Sequence, residues 1–230
     1  MTDPIDWTRI RTDLGQRGCA VTPPLLDPDE CGALTALYDS PDGFRSRVVM
    51  ARHGFGQGEY RYFSYPLPGP IEALRARVYA QLAPLANEWA VRMGQPADFP
   101  PGLAAQLARC HAAGQTRPTP LLLRYGVGDY NCLHQDLYGP MHFPLQLTVL
   151  LSAPGAAFEG GEFVLVEQRP RMQSRAEVVP LRQGEGVIFA THQRPVQGSR
   201  GSYRVTMRHG VSRIRAGQRH TLGVIFHDAT

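Results

Sequence analysis

The chain has 230 residues, of which 43% are hydrophobic and 19% charged, and this composition is typical of a folded soluble protein. No apolar run approaches the ~20 residues of a transmembrane helix, which argues against an integral membrane protein. All 24 basic residues are arginine, and the net charge of +4 suits a phosphate-rich partner such as nucleic acid. A genomic preference for arginine over lysine would give the same composition.

The N-terminus and the cysteines favour a cytoplasmic protein. The opening sequence Met-Thr-Asp-Pro-Ile-Asp-Trp lacks the basic flank and the apolar stretch of a signal peptide. The cysteines are scattered and form no Cys-x-x-Cys pair, so neither a disulfide framework nor a structural zinc site is expected. They are Cys19, Cys31, Cys110 and Cys132.

Residues 1–118 are predicted to form an N-terminal extension that mixes helices and strands. A short helix with Ile10 and Leu14 on its inner face opens the chain. A second helix starts at Asp27-Pro28, where Asp27 is the N-cap and Pro28 the first helical position. Helical spacing then predicts a long helix over 71–93, and a shorter one that follows Pro100-Pro101 and ends near Gly114.

Residues 44–65 alternate in a way that predicts two strands joined around residues 54–58. The segment interleaves aromatic side chains with arginines, and its candidate substrate contacts are Arg45, Arg47, Arg61 and Tyr62. Such a pattern can stack on bases while it neutralises phosphates. An ordinary amphipathic hairpin, with its aromatic side chains packed inward and its arginines in solvent, would show the same pattern.

From residue 119 onward, short apolar runs separated by Gly and Pro replace the helical spacing. Many short strands at turn-sized intervals favour a sandwich or barrel over an alternating βαβ sheet. The runs are 121–125, 145–151, 163–166, 178–181, 187–190, 203–207 and 221–226. We therefore predict a mainly β protein with supporting helices. Residues 119–230 form its core, and residues 1–118 pack on that core within one continuous domain and can serve as a substrate lid.

Candidate metal ligands lie in the sequence His134-Gln135-Asp136. Residues i and i+2 of a strand point to the same face, so His134 and Asp136 can bind one metal ion together. A third ligand from a distant strand would complete a set of two histidines and one carboxylate, which suits non-haem Fe(II). Both His192 and His209 follow strand-like runs and are candidates for that place.

The order His134, Asp136, His209, Arg219 resembles that of the Fe(II)- and 2-oxoglutarate-dependent dioxygenases. Further stretches resemble one bacterial branch, described as oxygenases that act on damaged nucleic acid and related to the AlkB-type demethylases. They are Gly-Gly-Glu-Phe at 160–163, Arg-Pro-Arg-Met-Gln-Ser-Arg at 169–175, Arg-Pro-Val at 194–196 and the run 208–228. The resemblance covers about residues 119–228. It implies a double-stranded β-helix, or jelly-roll, core that uses Fe(II), O2 and the co-substrate 2-oxoglutarate.

The resemblance also implies roles for single residues. His134, Asp136 and His209 would bind the iron, and Arg219 would form a bidentate pair with the distal carboxylate of 2-oxoglutarate. Arg219 follows His209 by about ten positions, as in these dioxygenases, and this offset favours His209 over His192.

Two neighbours are expected to assist in binding 2-oxoglutarate. Thr221 lies two positions beyond Arg219, on the same strand face, so its hydroxyl can add a hydrogen bond. Tyr130 shares the predicted face of His134 and can donate a phenolic hydrogen bond to 2-oxoglutarate, although packing alone would also explain a tyrosine there.

The implied activity is hydroxylation of a C–H bond, most simply the oxidative demethylation of alkylated nucleic acid. The enzymatic alternative is hydroxylation of an amino acid, a protein side chain or a small metabolite. This alternative arises because Tyr-x-x-Gly-x-Tyr at 125–130, just before His134, also resembles prolyl-hydroxylase-type enzymes. A non-catalytic jelly-roll protein that binds a metal or a small acid is the alternative from another class. The sequence indicates no particular oligomeric state.

Overall fold

The computed structural model describes residues 5–199 and 201–230, so the first four residues of the predicted extension lie outside it. The described residues form the helices α1 (Trp7–Arg17), α2 (Pro28–Ala36), α3 (Gly69–Arg92) and α4 (Leu103–Ala112). The strands are β1 (Cys19–Pro24), β2 (Phe44–Val49), β3 (Gly56–Gln57), β4 (Glu59–Phe63), β5 (Leu121–Tyr125), β6 (Tyr130–His134), β7 (Leu145–Leu150), β8 (Phe158–Gly160), β9 (Phe163–Gln168), β10 (Arg175–Val179), β11 (Glu185–Ala190), β12 (Gln193–Gly198), β13 (Gly201–Val211), β14 (Ile214–Gly217) and β15 (Arg219–Ile225). Short 3-10 turns cover Leu37–Asp39 and Met50–His53.

Two antiparallel sheets form a jelly-roll core, which confirms the predicted fold class. The larger sheet has the strand order β1-β11-β7-β15-β5-β4-β2, and the smaller one has the order β10-β9-β13-β6-β3 with β12 beside β13. Strands β8 and β14 form a further pair. None of the helices within residues 5–199 and 201–230 has the length and apolar character needed to cross a membrane.

The predicted N-terminal extension shares the larger sheet with the predicted core. Strand β1 pairs with β11 at one edge of this sheet. At the other edge β4 pairs with β5, and β2 pairs with β4 on its outer side. The first third of the chain therefore supplies strands to the sheet in addition to helices packed against it.

The helices begin and end close to their predicted positions because their signals are local. Asp27 caps α2 by accepting a hydrogen bond from the backbone N–H of Glu30 at 2.9 Å, while the Glu30 side chain accepts one from the N–H of Asp27 at 2.9 Å. The long helix predicted over 71–93 spans Gly69–Arg92. Its predicted apolar stripe is buried in the core: Leu74, Val78, Leu82, Leu85 and Trp89.

Each predicted apolar run overlaps a strand, with one clear shift. The run 178–181 belongs to β10, which begins earlier and ends at Val179, because Pro180 has no N–H to donate to the ladder. Strands β3, β8, β12 and β14 were not predicted. Each contains glycine, and β12 also contains Pro195. Both residue types are uncommon in strands, so composition does not predict strands there.

Candidate active site

A cavity of about 320 Å³ lies between the two sheets. Strands β5, β7 and β15 line it from the larger sheet, and β6, β9 and β13 from the smaller one. Its exposed walls are mainly apolar, and the polar side chains that reach it include one group around Asp136 and another around Arg219.

Sheet pairing brings the two distant histidines together. His209 on β13 is the direct partner of His134 on β6, and directly opposed residues place their Cβ atoms about 4.5–5.5 Å apart. The two imidazole centroids lie 4.2 Å apart. Asp136 lies two residues beyond the end of β6, with its carboxylate oxygens 3.6 Å from Nε2 of His134 and 3.4 Å from Nε2 of His209. One ligand atom from each of the three side chains lies within 4.8 Å of the others, so the group can hold a single metal ion.

Both histidines can present Nε2 to a metal ion. Nδ1 of His134 lies 2.7 Å from the carbonyl oxygen of Cys132, so it carries the proton and leaves the lone pair on Nε2, which faces Asp136. Burial lowers the pKa of His209, and the neighbouring His134 lowers it further, against the opposing effect of Asp136. This donor set, two imidazoles and one carboxylate, fits non-haem Fe(II).

The carboxylate of Asp136 is held by a chain of phenols. Burial alone would raise its pKa, but the hydrogen bond with His209 and the charges of both histidines hold that pKa below its ordinary value. The hydroxyl of Tyr138 donates to Oδ1 of Asp136 at 2.6 Å, and the hydroxyl of Tyr62 donates to Tyr138 at 3.0 Å. The two tyrosines therefore fix how the carboxylate faces the histidines.

We expect Tyr138→Phe to weaken metal binding by about 10- to 100-fold, because partners that orient a ligating group typically contribute that much to affinity. Anaerobic calorimetric titration with Mn(II) measures the loss without any need for turnover. Tyr62→Phe is the matched control, because it removes the next phenol along the chain and should have a smaller effect. Wild-type Mn(II) affinity in Tyr138→Phe would show that this hydroxyl does not orient Asp136.

Arg219 lies in the cavity wall as a buried cation. It begins β15, is 2% exposed, and pairs across the sheet with Tyr125. Among the described residues, no carboxylate lies within ion-pair distance of its guanidinium, and its Nε has no hydrogen-bond partner. Its one side-chain hydrogen bond there runs to the hydroxyl of Thr221, at 3.5 Å. Burial lowers the pKa of Arg219 to about 10, so the side chain stays charged at neutral pH and calls for an anionic ligand.

A turn of two glycines makes room for this arginine. Gly160 and Gly161 have φ values of 77° and 63°, in the left-handed region that favours glycine. A Cβ atom on Gly161 would lie 2.8 Å from Cδ of Arg219 and 2.3 Å from a methyl carbon of Ile214. The two glycines of the Gly-Gly-Glu-Phe stretch therefore leave the space that the buried side chain of Arg219 occupies beside the backbone.

The expectation for Tyr130 needs correction, because its side chain is not among the described residues that line the cavity. Its ring lies under the guanidinium of Arg213, at 5.0 Å. The cause is an irregularity in pairing: His134 opposes His209, yet Asn131 opposes Val211, so β6 carries one extra residue. Such a bulge reverses the alternation of faces, and Asn131 reaches the cavity instead.

The candidate substrate contacts Arg45 and Tyr62 are engaged inside the protein. Tyr62 is 7% exposed and its hydroxyl is bound to Tyr138, so its ring is not available to stack on a base. Arg45 donates to the carbonyl oxygen of Pro118 at 2.8 Å, and its guanidinium lies 4.3 Å from the centre of the Tyr62 ring.

Arg47 and Arg61 are likewise engaged. Nε of Arg47 donates to the carboxylate of Glu59 at 2.8 Å, which already neutralises its charge. Arg61 donates to the carbonyl oxygen of Ser40 at 2.7 Å and lies over the ring of Phe44 at 4.3 Å. In the hairpin of β2 and β4, Tyr62 is packed inward as in the amphipathic alternative, but Arg45, Arg47 and Arg61 bind within the chain and are not free in solvent.

His192 lies away from the three clustered ligands. Its ring faces His142 with the centroids 6.5 Å apart, and its backbone oxygen accepts a hydrogen bond from the N–H of Met207 at 2.6 Å. Within residues 5–199 and 201–230, the group that can hold a metal consists of His134, Asp136 and His209.

Sequence reasoning missed several polar side chains of the cavity, among them Tyr125, Tyr138 and Gln146. Tyr138 repeats the i+2 spacing that joins His134 and Asp136. Gln146 interrupts an apolar run, which is an available signal because a strand buried on both faces is normally apolar throughout.

A family model described as "Oxygenase, catalysing oxidative methylation of damaged DNA" matches residues 58–229. Two Mycobacterium tuberculosis proteins, Uncharacterized protein Rv2227 of strain H37Rv and Uncharacterized protein MT2286 of strain CDC 1551, are each 52% identical over 167 residues. The match covers 73% of this chain and 72% of theirs.

Solved structures share the fold at low sequence identity. A Pseudomonas putida prolyl-4-hydroxylase has a TM-score of 0.56 and 16% identity over 94% of this chain and 96% of its own. An oxidoreductase of the 2OG-Fe(II) oxygenase family from Burkholderia pseudomallei has a TM-score of 0.56 and 15% identity over 97% and 92%. The chain therefore belongs to the family described as oxygenases of damaged DNA, and it is an oxygenase whose clustered His134, Asp136 and His209 can hold a metal ion.

Proposed function

We propose that this enzyme removes N-methyl groups from alkylated nucleic acid by oxidation, with His134, Asp136 and His209 as the iron ligands. Bound Fe(II) would activate O2, so that one oxygen atom enters succinate as 2-oxoglutarate loses CO2 and the other enters a C–H bond of the substrate. An N-methyl group becomes N-hydroxymethyl, which releases formaldehyde and leaves N–H.

The protein's part is to bind and orient the reactants. Nε2 of His134 and Nε2 of His209 both face the carboxylate of Asp136, so the three side chains supply a ligand set that can bind one metal ion. Arg219 would hold the distal carboxylate of 2-oxoglutarate in a bidentate pair, and Thr221 would add a hydrogen bond to the same group. The buried, uncompensated charge of Arg219 supports this assignment.

The observation that carries the nucleic-acid substrate is an exposed segment at the mouth of the cavity, formed by Arg52, His53 and Phe55. Phe55 lines the cavity yet is 48% exposed, and its ring stacks on that of His53 at 5.3 Å and 23°. Among the described residues, no carboxylate lies within ion-pair distance of Arg52. An aromatic stack beside a free cation suits a base and its phosphate.

The close approach at Gly56 and two backbone hydrogen bonds of Phe55 define the backbone conformation of this segment. Gly56 has a φ of 130°, and a Cβ atom there would lie 2.4 Å from the carbonyl oxygen of Tyr130. The N–H of Cys132 donates to the carbonyl oxygen of Phe55 at 2.9 Å, and the N–H of Phe55 donates to that of Met50 at 3.2 Å. Because the backbone at Phe55 is fixed in advance, less conformational entropy is lost when a base stacks on its ring.

We expect Phe55→Leu to weaken oligonucleotide binding by about 5- to 150-fold, the equivalent of ~1–3 kcal/mol for one stacked base. Arg52→Gln should lower the slope of log K against log salt by about 0.7 on single strands. Fluorescence anisotropy of a labelled methylated oligonucleotide at several salt concentrations measures both effects.

Arg77→Gln is the matched control, because Arg77 is an exposed arginine on α3 and does not line the cavity. The nucleic-acid assignment fails if the wild-type protein binds neither single-stranded nor double-stranded oligonucleotides at low ionic strength.

Hydroxylation of an amino acid, a protein side chain or a small metabolite is the second candidate function. Its support is the internal engagement of Arg45, Arg47 and Arg61, which leaves fewer cations free to contact a phosphate backbone. This candidate expects no salt-dependent oligonucleotide binding, so the anisotropy series separates the two functions.

A further inference from the structure

We propose that Gln146 reads a hydrogen-bonding edge of the primary substrate at the end of the cavity opposite Arg219. The inference rests on the proposed function, and it assigns the edge to a nucleobase that presents an N–H donor beside an acceptor atom.

Gln146 is a polar residue where the fold calls for an apolar one. It lies on β7, all six residues of which are buried, and it is itself 4% exposed. It lines the cavity, and its Oε1 has no hydrogen-bond partner among the described residues. Leaving a buried acceptor unsatisfied is unfavourable, which implies that a bound molecule completes it.

A second buried glutamine, Gln106, shows that burial without a hydrogen-bond partner does not by itself indicate a binding site. Gln106 on α4 is 0% exposed, and neither end of its amide has a partner among the described residues. Gln106 does not line the cavity, so an unpartnered amide is not by itself a binding site. What distinguishes Gln146 is that an unpartnered amide lies against a cavity that also contains the metal ligands.

The register of the sheet places the backbone of Gln146 far from that of Arg219. Gln146 pairs with Ile225, which lies six positions beyond Arg219 on β15. At about 3.3 Å per residue, the backbones of Arg219 and Ile225 are ~20 Å apart along β15. Ile225 packs with Tyr62 and Tyr138, whose phenols lead to Asp136, so Gln146 lies at the Asp136 end.

The ligand at that end differs chemically from 2-oxoglutarate. The carboxylates and the ketone of 2-oxoglutarate only accept hydrogen bonds, so they cannot satisfy Oε1 of Gln146. An acceptor such as Oε1 needs an N–H or O–H donor. The terminal torsion of glutamine is broad, so the amide can turn a donor and an acceptor to the cavity side by side. Glutamine makes such a paired contact with the amino group and ring nitrogen of a nucleobase.

The test compares kcat/KM on two single-stranded DNA oligonucleotides that differ only in carrying one N-methylated adenine or one N-methylated cytosine. A paired contact discriminates between bases by about 5- to 150-fold. We expect the wild-type protein to prefer one substrate, and Gln146→Met, which keeps the length but removes the amide, to lose that preference through a fall on the preferred base. Gln146→Glu keeps an acceptor, loses the donor, and should lose the preference as well.

Gln106→Met is the matched control, since it makes the same change at a buried glutamine away from the cavity, and it should retain wild-type kcat/KM on both substrates. The inference alone is overturned if the wild-type protein turns over both substrates without a preference, or if Gln146→Met keeps the wild-type kcat/KM on each of the two substrates. It is also overturned if Gln106→Met loses the preference equally, because the effect would then come from packing. Absence of wild-type turnover on either oligonucleotide overturns the proposed function and this inference together.

Discussion

Replacement of His134, Asp136 or His209 by alanine is expected to lower Fe(II) affinity by more than about 100-fold and to abolish turnover. Loss of a group that merely orients a ligand already costs about 10- to 100-fold, and loss of the ligand itself should cost more. The three side chains lie within 4.8 Å of one another, so no single member can be spared from a three-ligand set. Anaerobic metal titration and succinate release measure the two effects separately.

His192→Ala is the control for this series, because His192 is a half-buried histidine outside the cluster. It should retain a large part of both metal affinity and turnover. The assignment of the second histidine is wrong if His192→Ala is as inactive as His134→Ala while His209→Ala still releases succinate. Thermal unfolding of each variant verifies that the fold survives.

Arg219→Lys is expected to weaken 2-oxoglutarate binding by one to two orders of magnitude. Lysine keeps the charge but loses the planar fork, and a hydrogen bond to a charged group contributes roughly 1.5–3 kcal/mol. Among the described residues that line the cavity, Arg219 is the only arginine, so no second guanidinium can take its place. The KM for 2-oxoglutarate and its direct binding to the Mn(II)-loaded protein both report the change.

Arg213→Lys makes the same substitution at an exposed arginine that lies over Tyr130, outside the cavity, and should leave the KM for 2-oxoglutarate close to that of the wild type. If Arg219→Lys depends on 2-oxoglutarate in the same way as the wild type, Arg219 does not bind the co-substrate. Mn(II) affinity should change far less than 2-oxoglutarate affinity, because no hydrogen bond joins Arg219 to the three clustered ligands within the described part of the chain.

The fold class and the members of the clustered His134, Asp136 and His209 group were accessible from the sequence because their signals survive without knowledge of pairing. Apolar runs at turn-sized spacing indicate a β fold, and the spacing of His134 to Asp136 needs only one extended segment. The choice of His209 came from its offset to Arg219 and from the family resemblance. Direct pairing of His209 with His134 in the sheet is the physical reason for that choice, and only the structure shows it.

What the sequence did not give correctly depends on contacts between distant residues. Tyr130 was placed on the cavity face by strict alternation, and one extra residue in β6 reverses that alternation. Arg47 looked free because its partner Glu59 lies across a hairpin. Composition does not distinguish an arginine that binds its own chain from one that is free, so it does not single out Arg52 within the same segment.

The central claim is most directly tested by measuring succinate and formaldehyde together, with wild-type protein, Fe(II), 2-oxoglutarate, O2 and a methylated oligonucleotide. We predict that the two products form in equal amounts, and that both disappear when Fe(II) is chelated or when Asp136→Ala replaces the wild-type protein. Succinate that forms equally well after chelation, or no succinate from the Fe(II)-loaded wild-type protein, would contradict the assignment of this cavity as the oxygenase site.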